Sequence, residues 1–227
     1  MMRLAKLKGF TLLLLLVWLA SCAPTKYVRP LLKNELAITG TLGGAIFTNF
    51  GYPLPIPNTS IGAGYGITEK WTGYASFYPT AAAFGDLQFD LGGVYGFLEP
   101  DGWRPGLSVA PGLNLVGDVW DQGFKIWPQL DANAWWSYGK RRNFVYVGLS
   151  SWWELAGKRA HDVPQPQFLI PGFQVGHTFS GDRWDFTTEL KMNNFRTSNQ
   201  ALTIDWTSPG NRGAIGIYFG VSKRFGK

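Results

Sequence analysis

Apolar and polar residues alternate with a period of two along most of the chain after residue 34, and turn residues interrupt the alternation. This period places successive side chains on opposite faces of a β-strand, whereas an amphipathic helix repeats about every 3.6 residues. No segment after residue 22 has a convincing helical period. The pattern predicts ten antiparallel strands: Glu35–Phe47, Ser60–Thr68, Trp71–Thr80, Asp86–Phe97, Gly106–Gly117, Phe124–Tyr138, Asn143–Glu154, Phe168–Phe179, Trp184–Phe195 and Ala214–Phe225.

The alternation separates apolar side chains from polar or very small ones. In the predicted strand Trp184–Phe195, Phe186 and Leu190 share one face, and Glu189 and Lys191 share the other. Several charges on one strand face would be costly in the dry core of a soluble protein, whereas a membrane barrel points apolar side chains outward and polar ones into its lumen. The sequence therefore predicts an all-β protein, an antiparallel up-and-down transmembrane β-barrel of ten strands, with counts of eight and twelve left open.

The connections between the predicted strands give an independent indication. Long connections at 48–59, 155–167 and 196–213 alternate with shorter ones, as in outer-membrane barrels, which have short periplasmic turns and longer extracellular loops. An even number of strands then places both chain ends on the periplasmic side. Aromatic residues cluster at predicted strand ends, where such barrels form girdles: Trp71, Phe97, Trp136, Tyr138, Phe144 and Trp184 at the periplasmic rim, and Phe47, Phe124 and Trp153 at the outer rim.

The start of the chain has the features of an export signal. Basic residues precede the apolar run Phe10–Leu19, which is shorter than the roughly 20 apolar residues that a membrane-spanning helix needs. The run ends in Leu19-Ala20-Ser21-Cys22, which resembles the bacterial lipobox, and this resemblance implies cleavage before Cys22 and acylation of its thiol. No acidic residue follows closely, so we expect the anchor to lie in the outer membrane, on its periplasmic side.

We accordingly divide the chain into a signal peptide at 1–21, a periplasmic tether at 22–34 that begins at the acylated cysteine, and a barrel at 35–227. The signal contains three of the 21 Lys and Arg and none of the 15 Asp and Glu, and the small remaining excess of positive charge does not indicate a nucleic-acid partner. The end of the last predicted strand resembles the C-terminal signature by which the outer-membrane assembly machinery recognises its substrates, although two residues follow Phe225. The resemblance to outer-membrane barrels implies two partners, membrane lipids and that machinery, and identifies no specific family.

The inward-facing polar residues are the best candidates for a functional site. Salt bridges and hydrogen bonds among them would fill the lumen of a barrel this narrow. Because Glu35 and Asp185 begin predicted strands and Arg224 ends one, we expect Arg224 to form an ion pair with one or both acids at the periplasmic end. We also expect the glycines at 62, 64 and 66 to make room inside the barrel. The candidate set is Gln88, Asp90, Lys125, Asp131, Glu154, Asp185, Glu189, Lys191 and Arg224, together with Glu35.

Three functions remain open on this evidence. The first is a structural or surface-interaction role in the cell envelope with a largely plugged lumen, the second a narrow pore for small solutes or ions, and the third an enzyme that modifies lipid or peptide. The two histidines, His161 and His177, fall in a charged loop and beside a periplasmic turn, which does not favour catalysis. We expect no cofactor and no metal, since a single cysteine excludes a zinc–thiolate site. The oligomeric state is not indicated.

Overall fold

The structure is a computed structural model that describes residues 27–49, 51–120, 123–139, 142–158, 164–165, 167–199 and 206–226. Eleven strands within these residues form one antiparallel sheet. One α-helical turn, α1 (Pro79–Ala83), follows the fourth strand, and one 3₁₀ turn, Pro209–Asn211, precedes the last strand. The strands are β1 (Leu36–Asn49), β2 (Tyr52–Pro55), β3 (Asn58–Gly66), β4 (Trp71–Phe77), β5 (Asp86–Leu98), β6 (Gly106–Asp118), β7 (Phe124–Tyr138), β8 (Asn143–Trp153), β9 (Leu169–Ser180), β10 (Trp184–Ser198) and β11 (Arg212–Phe225).

The first and last strands close the sheet into a barrel. β1 pairs with β11 in a continuous register from Leu36 opposite Phe225 to Ala45 opposite Gly216. β2 pairs only with the end of β1, so the barrel wall consists of ten strands, β1 and β3 to β11. Closure leaves the wall without an exposed edge. The predicted ten-stranded up-and-down barrel is confirmed.

The predicted strand bounds agree with the observed ones to within three residues, and two local predictions were wrong. The third predicted strand, observed as β4, ends at Phe77 and does not reach Thr80. Pro79 lacks the N–H that a ladder needs and starts α1 instead. The segment 48–59, expected as a loop, contains β2. Its prolines disfavour a strand inside a sheet, but a strand that pairs on one side only tolerates them.

The barrel is inside-out relative to a soluble protein, as predicted. In β11, Phe219 is 54% exposed whereas the adjacent Tyr218 is 2% exposed. In β10, Phe186 and Leu190 are exposed, and Glu189 and Lys191 are buried. The apolar outward face suits a bilayer, and the polar side chains fill the lumen. Among the described residues, no helix combines the length and the apolar character needed to cross a membrane.

Exposed aromatic residues mark one end of the barrel. We call the end that holds the start of β1 and the finish of β11 the terminal end, and the opposite one the loop end. The aromatic residues Trp71, Phe97, Tyr138 and Trp184 are exposed at the terminal end, as expected of a girdle. Phe144 was wrongly assigned to that girdle. Because its neighbours in β8 point outward, its side chain points inward and is buried.

Candidate functional site

The residues that precede β1 turn back into the terminal mouth of the barrel. We name residues 27–34 the N-terminal segment. The amide of Leu31 donates a hydrogen bond of 2.7 Å to Oγ1 of Thr72 on β4, and the carbonyl of Val28 accepts one from Ser108 on β6. The part of the expected tether that the structure describes is therefore packed against several strands of the wall.

Glycines in β3 make room for this segment. The hydroxyl of Tyr27 lies 3.0 Å from Oγ1 of Thr39, and its ring passes over Gly64, where an added Cβ would approach the ring to 2.6 Å. At Gly66 an added Cβ would overlap the carbonyl oxygen of Leu32. The expected interior space is thus occupied by the N-terminal segment.

A cluster of charges joins the segment to the terminal rim. Nε of Arg224 lies 3.1 Å from Oδ2 of Asp185, and Nη1 lies 3.5 Å from Oε1 of Glu35, so Arg224 pairs with both acids that the sequence brings to this end. Glu35 also lies 3.7 Å from Nη1 of Arg142. Glu35, Asp185 and Arg224 come from strand ends at the seam between β1, β11 and β10, and Arg142 comes from the turn between β7 and β8.

Arg29 extends this cluster from the N-terminal segment. It donates a hydrogen bond of 2.9 Å to the carbonyl of Arg142, and its guanidinium lies 4.5 Å from the ring centroid of Phe144. Burial lowers the pKa of Arg29 to about 10, and the nearby positive charge of Arg142 acts in the same direction. The side chain therefore stays charged at neutral pH.

Hydrogen bonds between strands cross the middle of the lumen. Asp90 accepts hydrogen bonds from the hydroxyl of Tyr78 and the amide of Asn114. Nε2 of Gln88 donates to Oδ1 of Asn114 over 3.3 Å. Both carboxylate oxygens of Asp90 therefore have a neutral donor, which stabilises a charge buried inside the barrel.

A second set of contacts lies on β7 to β10 at the same depth. The hydroxyl of Tyr146 donates to Oε2 of Glu189 over 2.8 Å. Lys191 is buried beside Glu189, and the charges of both act on Asp131. Four of the candidate residues are thus brought into the middle of the lumen: Asp90, Asp131, Glu189 and Lys191. Gln88 lies nearer the loop end, because its ladder partner Val116 pairs with Lys125.

Lys125 and Glu154 do not join this central group, because they lie at the loop end. Nε1 of Trp127 donates to Oε2 of Glu154 over 2.8 Å, and Nζ of Lys125 lies 5.8 Å from the ring centroid of Trp127. The ten candidate residues are therefore divided among three depths of the barrel.

An apolar cluster spans the loop-end mouth. Tyr78 and Ala81 of the connection after β4 are buried against Trp152 of β8, and Trp127 and Ile170 pack on them. Because these residues come from α1 and from strands across the barrel, the cluster reaches over the opening. We name it the loop-end cluster.

The candidate set omits the neutral partners of the buried charges. Asn114, Asn133, Tyr146 and Gln174 lie on inward positions that the alternation already indicates, so a search for charged residues alone misses them. Arg142 and the N-terminal segment lie outside the strands, where no periodic signal marks their direction. The missed partners therefore fall into two groups, and only the first could be found from periodicity.

The structure describes one of the two histidines, His177, and it does not lie near the inward carboxylates. His161 lies outside the described residues. His177 is on the outward face of β9 at the terminal end, hydrogen-bonded to the hydroxyl of Tyr138 and with its ring centroid 3.9 Å from that of Phe179. It is thus separated by the wall from the inward carboxylates. In the described part of the chain, no group of three or more His, Cys, Asp or Glu is placed to hold a metal.

The chain resembles known proteins in its fold and not in its sequence. No protein-family model and no curated protein sequence matches the chain. An outer membrane channel from Pseudomonas putida F1 is similar in structure, with 9% identity and a TM-score of 0.50 over 90% of this chain and 100% of the other. The translocator domain of the autotransporter NalP from Neisseria meningitidis has 10% identity and a TM-score of 0.48 over 99% of this chain and 95% of its own. At such identities the likeness extends to architecture alone, and this chain has the closed antiparallel architecture of outer-membrane β-barrels.

Proposed function

We propose that this protein is a lipid-anchored barrel of the outer membrane with a closed lumen, and that it serves a structural or surface-interaction role in the cell envelope. The observation that carries the proposal is that both mouths are occupied. The N-terminal segment lies in the terminal mouth, and the loop-end cluster spans the other. An open channel would instead need a continuous water-filled path from one mouth to the other.

The central contacts support the same function. An ion crossing the lumen would have to displace hydrogen bonds that connect strands, such as those of Asp90 and Glu189. Each hydrogen bond to a buried charged group contributes about 1.5–3 kcal/mol, so displacing several of them is costly. We infer that the polar residues of the lumen stabilise the barrel and that the lumen does not conduct ions.

The position of the N-terminal segment supports a lipid anchor at the terminal end. Four residues separate Tyr27 from Cys22, and the five Cα–Cα steps between the two span at most about 18 Å. A lipid on Cys22 would therefore enter the leaflet at the terminal end, which we propose is the periplasmic one. Mass spectrometry of the purified protein tests this, because diacylation or triacylation at Cys22 adds the mass of the chains and Cys22→Ser removes it.

Planar-bilayer recordings test whether the lumen is closed. We compare the full chain, a variant that lacks residues 27–34, and a variant that also carries Trp152→Ala. We expect no stepwise conductance from the full chain, and measurable conductance only when both mouths are opened. A boiling-dependent shift on SDS gels confirms that each variant is folded. Steady channels from the full chain would contradict the closed lumen.

A narrow pore is a second candidate, favoured by one observation. Several buried side-chain oxygens in the lumen have no hydrogen-bond partner among the described residues, among them Oδ1 of Asp131, Oε1 of Gln174 and Oγ of Ser150. Buried polar atoms of this kind are usually satisfied by water, and a chain of waters could extend through the lumen. In that case the full chain would conduct, and Asp131→Asn would reduce its selectivity for cations.

A further inference from the structure

Lys223 has an unusual place on the barrel wall. Within the continuous ladders of the ten wall strands, it is the one Lys, Arg, Asp or Glu that alternation places on the outward face. It lies between Val221 and Phe225 on β11, and its ladder partners are Ile38 and Trp184. All four neighbours are exposed apolar or aromatic side chains. A positive charge is therefore set in a surface that otherwise suits hydrocarbon.

The ammonium of Lys223 is held at the rim of the terminal end. Its Nζ lies 5.2 Å from the ring centroid of Trp184 and 5.2 Å from that of Phe225. Trp184 begins β10 and Phe225 ends β11, so the amine is directed toward the edge of the bilayer. Lysines near that edge extend their apolar stems along the protein and place the charge among lipid headgroups.

The described chain offers this ammonium no carboxylate. The acids closest in the ladder, Asp185 and Glu35, point inward and pair with Arg224. The two ring faces attract a cation, but they leave its remaining N–H donors without an acceptor. At this depth of a bilayer the abundant anionic acceptor is the phosphate of a phospholipid headgroup.

We propose that Lys223, Trp184 and Phe225 form a binding site for the phosphate of an anionic phospholipid such as phosphatidylglycerol, in the leaflet at the terminal end. The ammonium pairs with the phosphate, and the two rings contact the glycerol and the first methylenes of the acyl chains. An anionic lipid is preferred over phosphatidylethanolamine because the latter carries its own ammonium, which competes with Lys223 for the phosphate.

Native mass spectrometry of the full protein in a mild detergent tests the site, with phosphatidylglycerol and phosphatidylethanolamine added in turn. Lys223→Gln is the test variant, and Lys70→Gln is the matched control, because Lys70 lies exposed in the turn between β3 and β4 at the same end. One lysine near a charged bilayer surface accounts for about 1 kcal/mol, which corresponds to about fivefold in affinity. We expect Lys223→Gln to weaken phosphatidylglycerol binding by about this factor, Lys70→Gln to change it less than about twofold, and Lys223→Arg to retain it.

The other outcomes overturn the site. Equal losses for Lys223→Gln and Lys70→Gln would show that the lipid responds to the overall charge of the terminal end. Unchanged binding in Lys223→Gln would show that the amine does not contact the phosphate. Competition by inorganic phosphate as effective as that by phosphatidylglycerol would show a site for a free anion and not for a lipid. A boiling-dependent gel shift confirms that each variant is folded.

Discussion

Nη1 of Arg224 lies 3.5 Å from Oε1 of Glu35, so an ion pair connects the last wall strand to the residue that precedes the first. The same guanidinium reaches Asp185 on the neighbouring strand, with 3.1 Å between Nε and Oδ2. Both partners at the seam are well buried, with 8% of the Arg224 side chain and 5% of the Glu35 side chain exposed. The seam of the barrel is therefore closed by charge as well as by the ladder of main-chain hydrogen bonds.

Replacing Arg224 should destabilise the barrel. Arg224→Met leaves the carboxylates of Glu35 and Asp185 close together without their shared cation. Removing one partner of a buried ion pair typically costs about 3–5 kcal/mol, and we expect a loss of this size in the free energy of unfolding. Urea titration of the protein in lipid vesicles, followed by tryptophan fluorescence, measures it.

Arg183→Met is the control for this measurement, because Arg183 lies exposed in the adjacent turn. We expect it to change the free energy of unfolding by less than about 0.5 kcal/mol. If both variants lose the same amount, the seam does not depend on the buried ion pair.

A side chain at Gly66 should expel the N-terminal segment. Even a methyl group there overlaps the carbonyl oxygen of Leu32, and main chain cannot yield as a flexible side chain does. Trypsin cannot cleave after Arg29, because Pro30 follows it, and Lys33 already has an exposed side chain. We expect Gly66→Ala to free the main chain on both sides of Lys33, so that trypsin cleaves the folded protein after Lys33 many times faster than the unmodified one. Mass spectrometry of the fragments measures the rate.

Gly40→Ala is the matched control, since nothing lies within 4 Å of a Cβ added at Gly40 on the outward side of β1. It should leave the cleavage rate unchanged. Equal protection of Gly66→Ala and the unmodified protein would mean that the segment shifts within the mouth and remains packed.

The direction of the wall side chains could be predicted from the sequence because a strand has a strict period of two. A membrane barrel solvates its two faces differently, so each inward charge marks the register of a whole strand. In the structure Arg224 and Glu189 are buried on the inward face, and Asp185 contacts Arg224 there. The predicted ion pair of Arg224 followed from strand ends alone, since neighbouring antiparallel strands bring such ends together.

The contents of the lumen could not be predicted in the same way. Glycines such as Gly64 indicate interior space, but the pattern does not reveal that Tyr27 fills it. Phe144 was misassigned because an aromatic residue at a strand end suits a girdle, although the alternation along β8 places it inward, where it packs against Val28 and Trp135. Of these two, Val28 lies in the N-terminal segment, where no periodic signal marks its direction.

The charge balance of the central lumen gives a further prediction. Lys191 is 2% exposed and is the cation that acts on Asp131, whose surroundings also include the carboxylates of Glu189 and Asp90. We expect Lys191→Met to lower the free energy of unfolding by about 3–5 kcal/mol, because it leaves buried negative charges without compensation. The same urea titration measures the loss.

Adding Asp131→Asn to Lys191→Met removes one negative charge along with the positive one. If the stabilisation is electrostatic, the double variant should be more stable than Lys191→Met alone. A double variant that is less stable than either single one would instead show that both side chains are needed for packing.

The hydroxyl of Tyr78 should stabilise the barrel through Asp90. Tyr78 is fully buried, and its hydroxyl donates a hydrogen bond to the carboxylate of Asp90. Its ring belongs to the loop-end cluster. Tyr78→Phe keeps the ring and removes only the donor, so we expect a loss of about 1.5–3 kcal/mol in the free energy of unfolding, as for other hydrogen bonds to charged groups. Tyr65→Phe is the control, since the Tyr65 hydroxyl makes an exposed bond of 3.1 Å to Oδ1 of Asn34, and it should cost less than about 0.5 kcal/mol. A loss in Tyr78→Phe as small as that in Tyr65→Phe would show that Asp90 finds another donor when the Tyr78 hydroxyl is removed. The central hydrogen bonds would then be interchangeable and not specific.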